Sequence, residues 1–165
     1  IFNSNFFRVY TSNDVIGAEI GGALKNVVAI AAGIIDGIGM GDNTKAALIT
    51  RGLAEMSRLG ISLGANPLTF SGLSGLGDLF VIGNSKLSRN RRVGELIGKG
   101  MSLEQILAEM KMVAEGVQTT VSAYNLSLQA KVDMPITQQM YLFENIKPID
   151  AINELMSRES KQEWW

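Results

Sequence analysis

The stretch "DVIGAEIGGALKNVVAIAAGIIDGIGM", residues 14 to 40, repeats apolar side chains at helical spacing with no proline to interrupt it. A helix starting near Asp14 and running to Met40 is the strongest constraint on the fold. Its longest apolar run, Val27 to Ile35, is far too short to span a bilayer. No basic segment precedes an apolar run at the start, so no signal peptide is read there. A soluble, cytoplasmic protein is expected, without membrane insertion. The missing initiator Met suggests a start inside a longer chain.

The rest of the chain repeats the helical pattern in shorter pieces. Gly-Asp-Asn at 41 to 43 marks a break, and "NTKAALITRGLAEMSRLGISLG" stops at Gly64 with Pro67 beyond it. Shorter helices are expected from Pro67 to about Ile82. "SRNRRVGELIGKG" opens with a capping Ser, and "SLEQILAEM" carries the S-x-x-Q capping box. Residues 117–132, 135–145 and 148–158 are helical by pattern, two of them opening at or next to Pro. Only "FFRVYT", residues 6 to 11, is β-prone, and it predicts one short strand. The expected fold is therefore all-α, with residues 1–12 as a linker or the end of another domain and 13–165 as a helical domain.

At 165 residues, 46% hydrophobic and 19% charged, the chain suits one globular domain. It has no cysteine and no histidine. Thiolate chemistry is thereby excluded, and the usual general base and transition-metal ligand are missing. Acid–base chemistry here falls to Lys, Asp, Glu or Tyr. No metal site is expected.

Two features invite a ligand. Along the first helix, the face of Lys25 carries Ala18, Gly21, Gly22, Ala29, Ala32 and Gly33, ending near Asp36. Glycine in a helix interior costs about 1 kcal/mol against alanine. Close helix packing explains such a seam, and so does a smooth wall against which a ligand lies with one amine pointing at it. Asn26, about 100° round the helix, reaches the edge of the same space. The second feature is "SGLSGLGDLFVIGNSKLSRNRR", residues 71 to 92, in a chain of net charge −1. Ser88 can cap a helix whose first turn holds Arg89, Asn90 and Arg91, a place that attracts phosphate or carboxylate. Basic residues are poorly placed there for stability alone, so they call for a counter-ion. Ordinary surface salt bridges are the alternative. Nucleic acid is disfavoured, because the patch is short and has no interleaved aromatics. Asp78 follows Gly75 and Gly77, either presented by a sharp turn or capping the next helix. Glu115, before Gly116 in "VAEGVQT", also suits a cap.

The blocks "GGALKNVVAIAAGIIDG", "GDNTKAALITRGLAEMSRLG", "SGLSGLGDL", "SRNRR" and "VAEGVQT" resemble, in order, the C-terminal substrate-binding domain of bacterial NAD(P)-dependent glycerol-3-phosphate dehydrogenases. The resemblance implies the 6-phosphogluconate-dehydrogenase C-terminal type of fold. It implies interconversion of dihydroxyacetone phosphate and sn-glycerol 3-phosphate with NAD or NADP. It makes Lys25 the catalytic acid/base, with Asn26, Asp78, Ser88, Arg89 and Asn90 around the substrate. Arg89, Val113 and Glu115 would touch the cofactor. It further implies an N-terminal Rossmann partner domain, whose G-x-G-x-x-G/A loop these residues lack, and it suggests a homodimer. The sequence departs from the family at Ile82-Gly83, where a Thr-Cys pair is usual and the Thr lines the substrate pocket. A non-catalytic helical anion-binding or dimerisation module, or a related hydroxy-acid dehydrogenase, are the competing readings. The terminal Trp164 and Trp165 are assigned no function.

Overall fold

Asp14 starts the first helix. Its Oδ1 accepts the Gly17 amide at 2.9 Å, while Oδ2 accepts the Asn66 amide at 2.9 Å and the Thr69 hydroxyl at 2.5 Å. The Thr69 and Gly17 donors hold the Asp14 carboxyl below the usual carboxylate range. Helix α1 then runs Val15–Ile38 and stops at Gly39, whose φ of +83° lets its N–H turn back to the last carbonyls.

The computed structural model describes residues 2–110, 114–143 and 145–159. Within them α2 spans Asp42–Ser62, α3 Pro67–Phe70 and α4 Asp78–Asn84, with a π-helical turn at Leu73–Gly77 before α4. Next come α5 (Arg89–Gly98), α6 (Leu103–Glu109), α7 (Glu115–Ala130), α8 (Pro135–Leu142) and α9 (Pro148–Ser157). The all-α expectation holds, and the Ser102–Gln105 capping box of α6 is formed in both directions. The first break falls earlier than expected, at Gly39–Gly41, and Asp42 and Asn43 already belong to α2.

The predicted strand is not formed. Residues 7–11 have no strand partner among the described residues, and the side chains beside them face solvent, with Phe6 fully exposed. β-branched and aromatic residues favour a strand only where a neighbour completes the ladder and covers one face.

Helix α1 is the axis of the domain. It packs against α2, α3, α4, α5, α7, α8 and the π-helical turn. Leu24, Val27, Ile30 and Ile34 of α1 are buried with Met56, Leu59, Phe70, Leu79, Val93 and Ile97. Each such side chain contributes roughly 1.5–3 kcal/mol on leaving water. The run Val27 to Ile35 is too short to cross a membrane, but α1 as a whole is long and apolar enough. Of its most apolar window, 61% is buried inside the fold, as suits a core helix.

The seam between α1 and α5 explains part of the glycine pattern. A methyl group at Gly33 would collide with the Arg91 carbonyl, and one at Gly94 with the Ile30 carbonyl. Backbone meets backbone there, so in this half of α1 the small residues serve close packing.

On the far side of α1, helix α8 begins with Pro135 and has no side-chain cap of its own. Glu55 of α2, only 3% exposed, supplies one. It accepts the amides of Ile136 at 2.6 Å and Thr137 at 3.1 Å, and the Thr137 hydroxyl at 3.0 Å. Burial pushes the Glu55 carboxyl up to about 7, against the downward pull of these three donors and of Arg58. The sequence carried a signal for it: an acid at helical spacing from Gly52 and Leu59, both on the buried face of α2.

Candidate active site

Near the start of α1 the small-residue face behaves differently. Gly21 packs against the Ser74 carbonyl, but a methyl at Gly22 would meet nothing within 4 Å. Lys25 lies beside this open wall, and its Nζ donates to Asp78 Oδ2 at 2.6 Å. Both side chains remain partly open to solvent, 27% and 43% exposed. Asp78 is the first residue of α4, and the N-cap position is Gly77. Asp78 therefore spends its carboxylate on the lysine rather than on capping the helix. The π-helical turn brings it there, because it lifts the chain from α3 over the edge of α1.

Asn26, the next residue on α1, reaches the opposite neighbour. Its Oδ1 accepts the Asn90 Nδ2–H at 3.0 Å, and Asn90 Oδ1 accepts the backbone amide of Gly116 at 3.0 Å. Ser88 caps α5 as expected, accepting the Arg91 amide at 3.2 Å. Arg89 is exposed at the start of α5. The counter-ion demanded by the basic turn proves to be internal for Arg91: Asp36 Oδ2 lies 2.8 Å from its Nε and 2.6 Å from its Nη2. Lys45 meets the other oxygen of Asp36 at 2.9 Å. The signal for this cluster was Asp36 itself, standing at the end of the small-residue face.

The structure thus brings Lys25 and Asp78 together directly, and links Asn26 to Ser88, Arg89 and Asn90 through the first turn of α5. Glu115 is exposed in the first turn of α7, where an acid suits the helix dipole. The N-cap there is Ala114, so Glu115 is not the cap. Val113 lies outside the described residues, as do Trp164 and Trp165. Gly83, in the departure from the family pattern, sits so close to Ile49 that a β-carbon would lie 2.7 Å from its Cδ1. Among the described residues no cluster of acidic side chains could hold a metal.

Two concavities lie away from this surface. One of about 1090 Å³ runs between α6 and the α8–α9 turn, lined by Met101, Leu107 and Phe143 among others. The other, of about 410 Å³, lies between α2, α8 and α9. Lys25 lines neither of them.

Residues 14–153 match the family model of the NAD-dependent glycerol-3-phosphate dehydrogenase C-terminus. The chain belongs to this family. It is 58% identical over 164 residues to a glycerol-3-phosphate dehydrogenase [NAD(P)+] of Citrifermentans bemidjiense, covering 98% of this chain and 49% of that protein. The corresponding Bacillus pumilus protein is 61% identical over 160 residues, covering 96% of this chain and 46% of that protein. Among solved structures, the glycerol-3-phosphate dehydrogenase of Coxiella burnetii superposes with a TM-score of 0.90 at 39% identity, over 94% of this chain and 49% of that one. The chain therefore spans about half the length of the dehydrogenases it matches, and what it aligns with is their C-terminal part.

Proposed function

We propose that this chain is the substrate-binding half of a dehydrogenase that interconverts dihydroxyacetone phosphate and sn-glycerol 3-phosphate. The observation that supports it best is the Lys25–Asp78 pair beside the open wall at Gly22, on a helix that packs directly against the capped, arginine-bearing start of α5. Lys25 gives a proton to the carbonyl oxygen at C2 during reduction, and takes it from the hydroxyl in the reverse direction. Asp78 holds the amine in place and balances its charge. NAD or NADP, when bound, supplies or accepts the hydride at C2, so that one hydride and one proton convert the ketone to the alcohol. Arg89 and Glu115, both exposed, suit the edge of a cofactor bound mostly by another domain, with Val113 two residues before Glu115 in sequence. That other domain is the N-terminal half found in the relatives, and a homodimer in the cytoplasm completes the reading.

Arg89 receives the phosphate together with the helix start at Ser88 and Asn90, since a planar guanidinium can make two directed bonds to it. Arg91 is committed to Asp36 and takes no part. Steady-state kinetics on the protein joined to its N-terminal half tests this. Arg89→Lys should lower kcat/KM for dihydroxyacetone phosphate about ten- to a hundred-fold, and Arg92→Lys should cost little. Equal behaviour of both variants and the parent would leave only a solvated basic face. The 165-residue chain alone should show no turnover, and turnover by it would overturn the proposal.

A further inference from the structure

Helix α9 has an apolar side, yet none of its residues is buried. Ile152 and Leu155, both half-buried, cover a hollow rather than a packed floor. That hollow is the cavity of about 410 Å³ between α2, α8 and α9, and small-molecule sites measure about 300–1,000 Å³. It shares no residue with the surface around Lys25 and Asp78. Ile35, Leu48, Ile136, Ile152 and Leu155 line it, and the same five side chains continue into a smaller hollow of about 40 Å³ beside Ala31 and Met140. One end of the space is therefore apolar. The other end is charged. Arg58 Nε and Nη2 donate to the Asp133 carbonyl at 3.2 and 2.8 Å, and Arg158 Nη2 donates to Asp133 Oδ2 at 2.7 Å. Two guanidinium groups, one from α2 and one just past the end of α9, thus converge on one loop residue. Each carries five N–H bonds, and most of them have no acceptor among the described residues. With Arg51, the lining sets three arginines against the carboxylates of Asp133 and Glu159. Glu55 also lines it, but burial raises its carboxyl to about 7, so at neutral pH and below it adds only part of a negative charge.

We propose that this cavity is a second ligand site, which takes a carboxylate with an aliphatic chain. The chain lies among Ile35, Leu48, Ile152 and Leu155, and the carboxylate bridges Arg58 and Arg158. A carboxylate matches a guanidinium through paired N–H bonds, and the excess of arginine over acid at the mouth selects an anionic head over a cationic one. The chain fills the space that the side chains of α9 leave open, so an occupied site seats α9 against α2. The site does not depend on the proposed reaction at Lys25.

The test is calorimetric titration of decanoate, kept below the concentration at which it forms micelles, into the protein joined to its N-terminal half. One site should appear. Decan-1-ol, with the same chain and no charge, should bind about tenfold more weakly, and so should decanoate to Arg158→Gln. Leu155→Trp fills the hollow and should abolish binding. Saturating dihydroxyacetone phosphate should leave the decanoate affinity unchanged, because the Lys25 surface is separate. NMR of the unsubstituted protein with labelled methyl groups should show contacts from the decanoate chain to Leu48, Ile152 and Leu155, which reads the site even where a variant fails to fold. No binding, contacts only to other methyl groups, or displacement by dihydroxyacetone phosphate overturns the proposal. Equal affinity for decanoate and decan-1-ol overturns it too, since the head then has no partner. None of these readouts requires turnover, so a failure of the proposed function would leave them intact.

Discussion

Helix α1 carries two ion clusters about 16 Å apart along its axis, and they differ in how completely each is closed. At Lys25 a single carboxylate meets a single amine, with side chains 27% and 43% exposed. At Asp36 one carboxylate meets Lys45 and Arg91, with exposures of 17%, 12% and 12%. Both lie on a face rich in glycine and alanine. The glycine at the Asp36 end is pressed against α5, while Gly22 near Lys25 has open space before it. The closed cluster fastens α1, α2 and α5 together. The open one keeps a proton-bearing group reachable from outside. The same local sequence chemistry thus serves architecture at one end of a helix and, in the proposed reading, reaction at the other.

The largest separation between the two ends should come from Lys25→Ala in the protein with its N-terminal half. Proton transfer by a positioned side chain is worth about 10²–10⁴-fold, and turnover should fall by that amount. The melting temperature should hardly change, because a pair this exposed contributes little to stability. A loss of only two- or three-fold would erase the distinction between the ends. Asp36→Asn should do the reverse. It takes from Lys45 and Arg91 the carboxylate they share and leaves them only the longer contacts, to Asp42 at 3.6 Å and to Glu95 at 3.5 Å, which costs about 3 kcal/mol of unfolding free energy. Denaturant unfolding would show it, and an unchanged midpoint would mean that the closed cluster is idle.

Glu55 sharpens the comparison, as a carboxyl group enclosed by neutral donors with no direct cation partner among the described residues. Its carboxyl is raised from 4.5 to about 7 in the fold, so the unfolded chain releases this proton first as pH rises. The contribution is fully present below pH 4.5 and is lost as pH climbs through 7. Between pH 5 and 8 the parent should lose about 2 kcal/mol relative to Glu55→Gln, measured by urea unfolding at each pH. Parallel pH profiles for the two proteins would contradict this.

Much of the framework was legible in the sequence, for particular reasons. Helical periodicity located α1 and α2, and cap chemistry located the starts of α5 and α6, since both are local properties. The strand at residues 6–11 was misread because propensity says nothing about whether a partner exists. The small-residue face around Lys25 was legible, but not which of its glycines are packed and which are open. That depends on where α5 and the π-helical turn land. The same limit hid the division of labour among the arginines: the sequence put Arg89 and Arg91 in one helix turn, and only the fold placed Asp36 against Arg91. Asn90 and Gly116 met across 26 residues of chain through a hydrogen bond that no local pattern announces.

The claim that the open end of α1 is the reacting end is tested most directly by a crystal structure of the protein with its N-terminal half, bound to glycerol 3-phosphate. The C2 hydroxyl oxygen should lie within hydrogen-bonding distance of Lys25 Nζ, and the phosphate on the first turn of α5 with Arg89. A ligand bound elsewhere, with Lys25 still engaged by Asp78 alone, would contradict it.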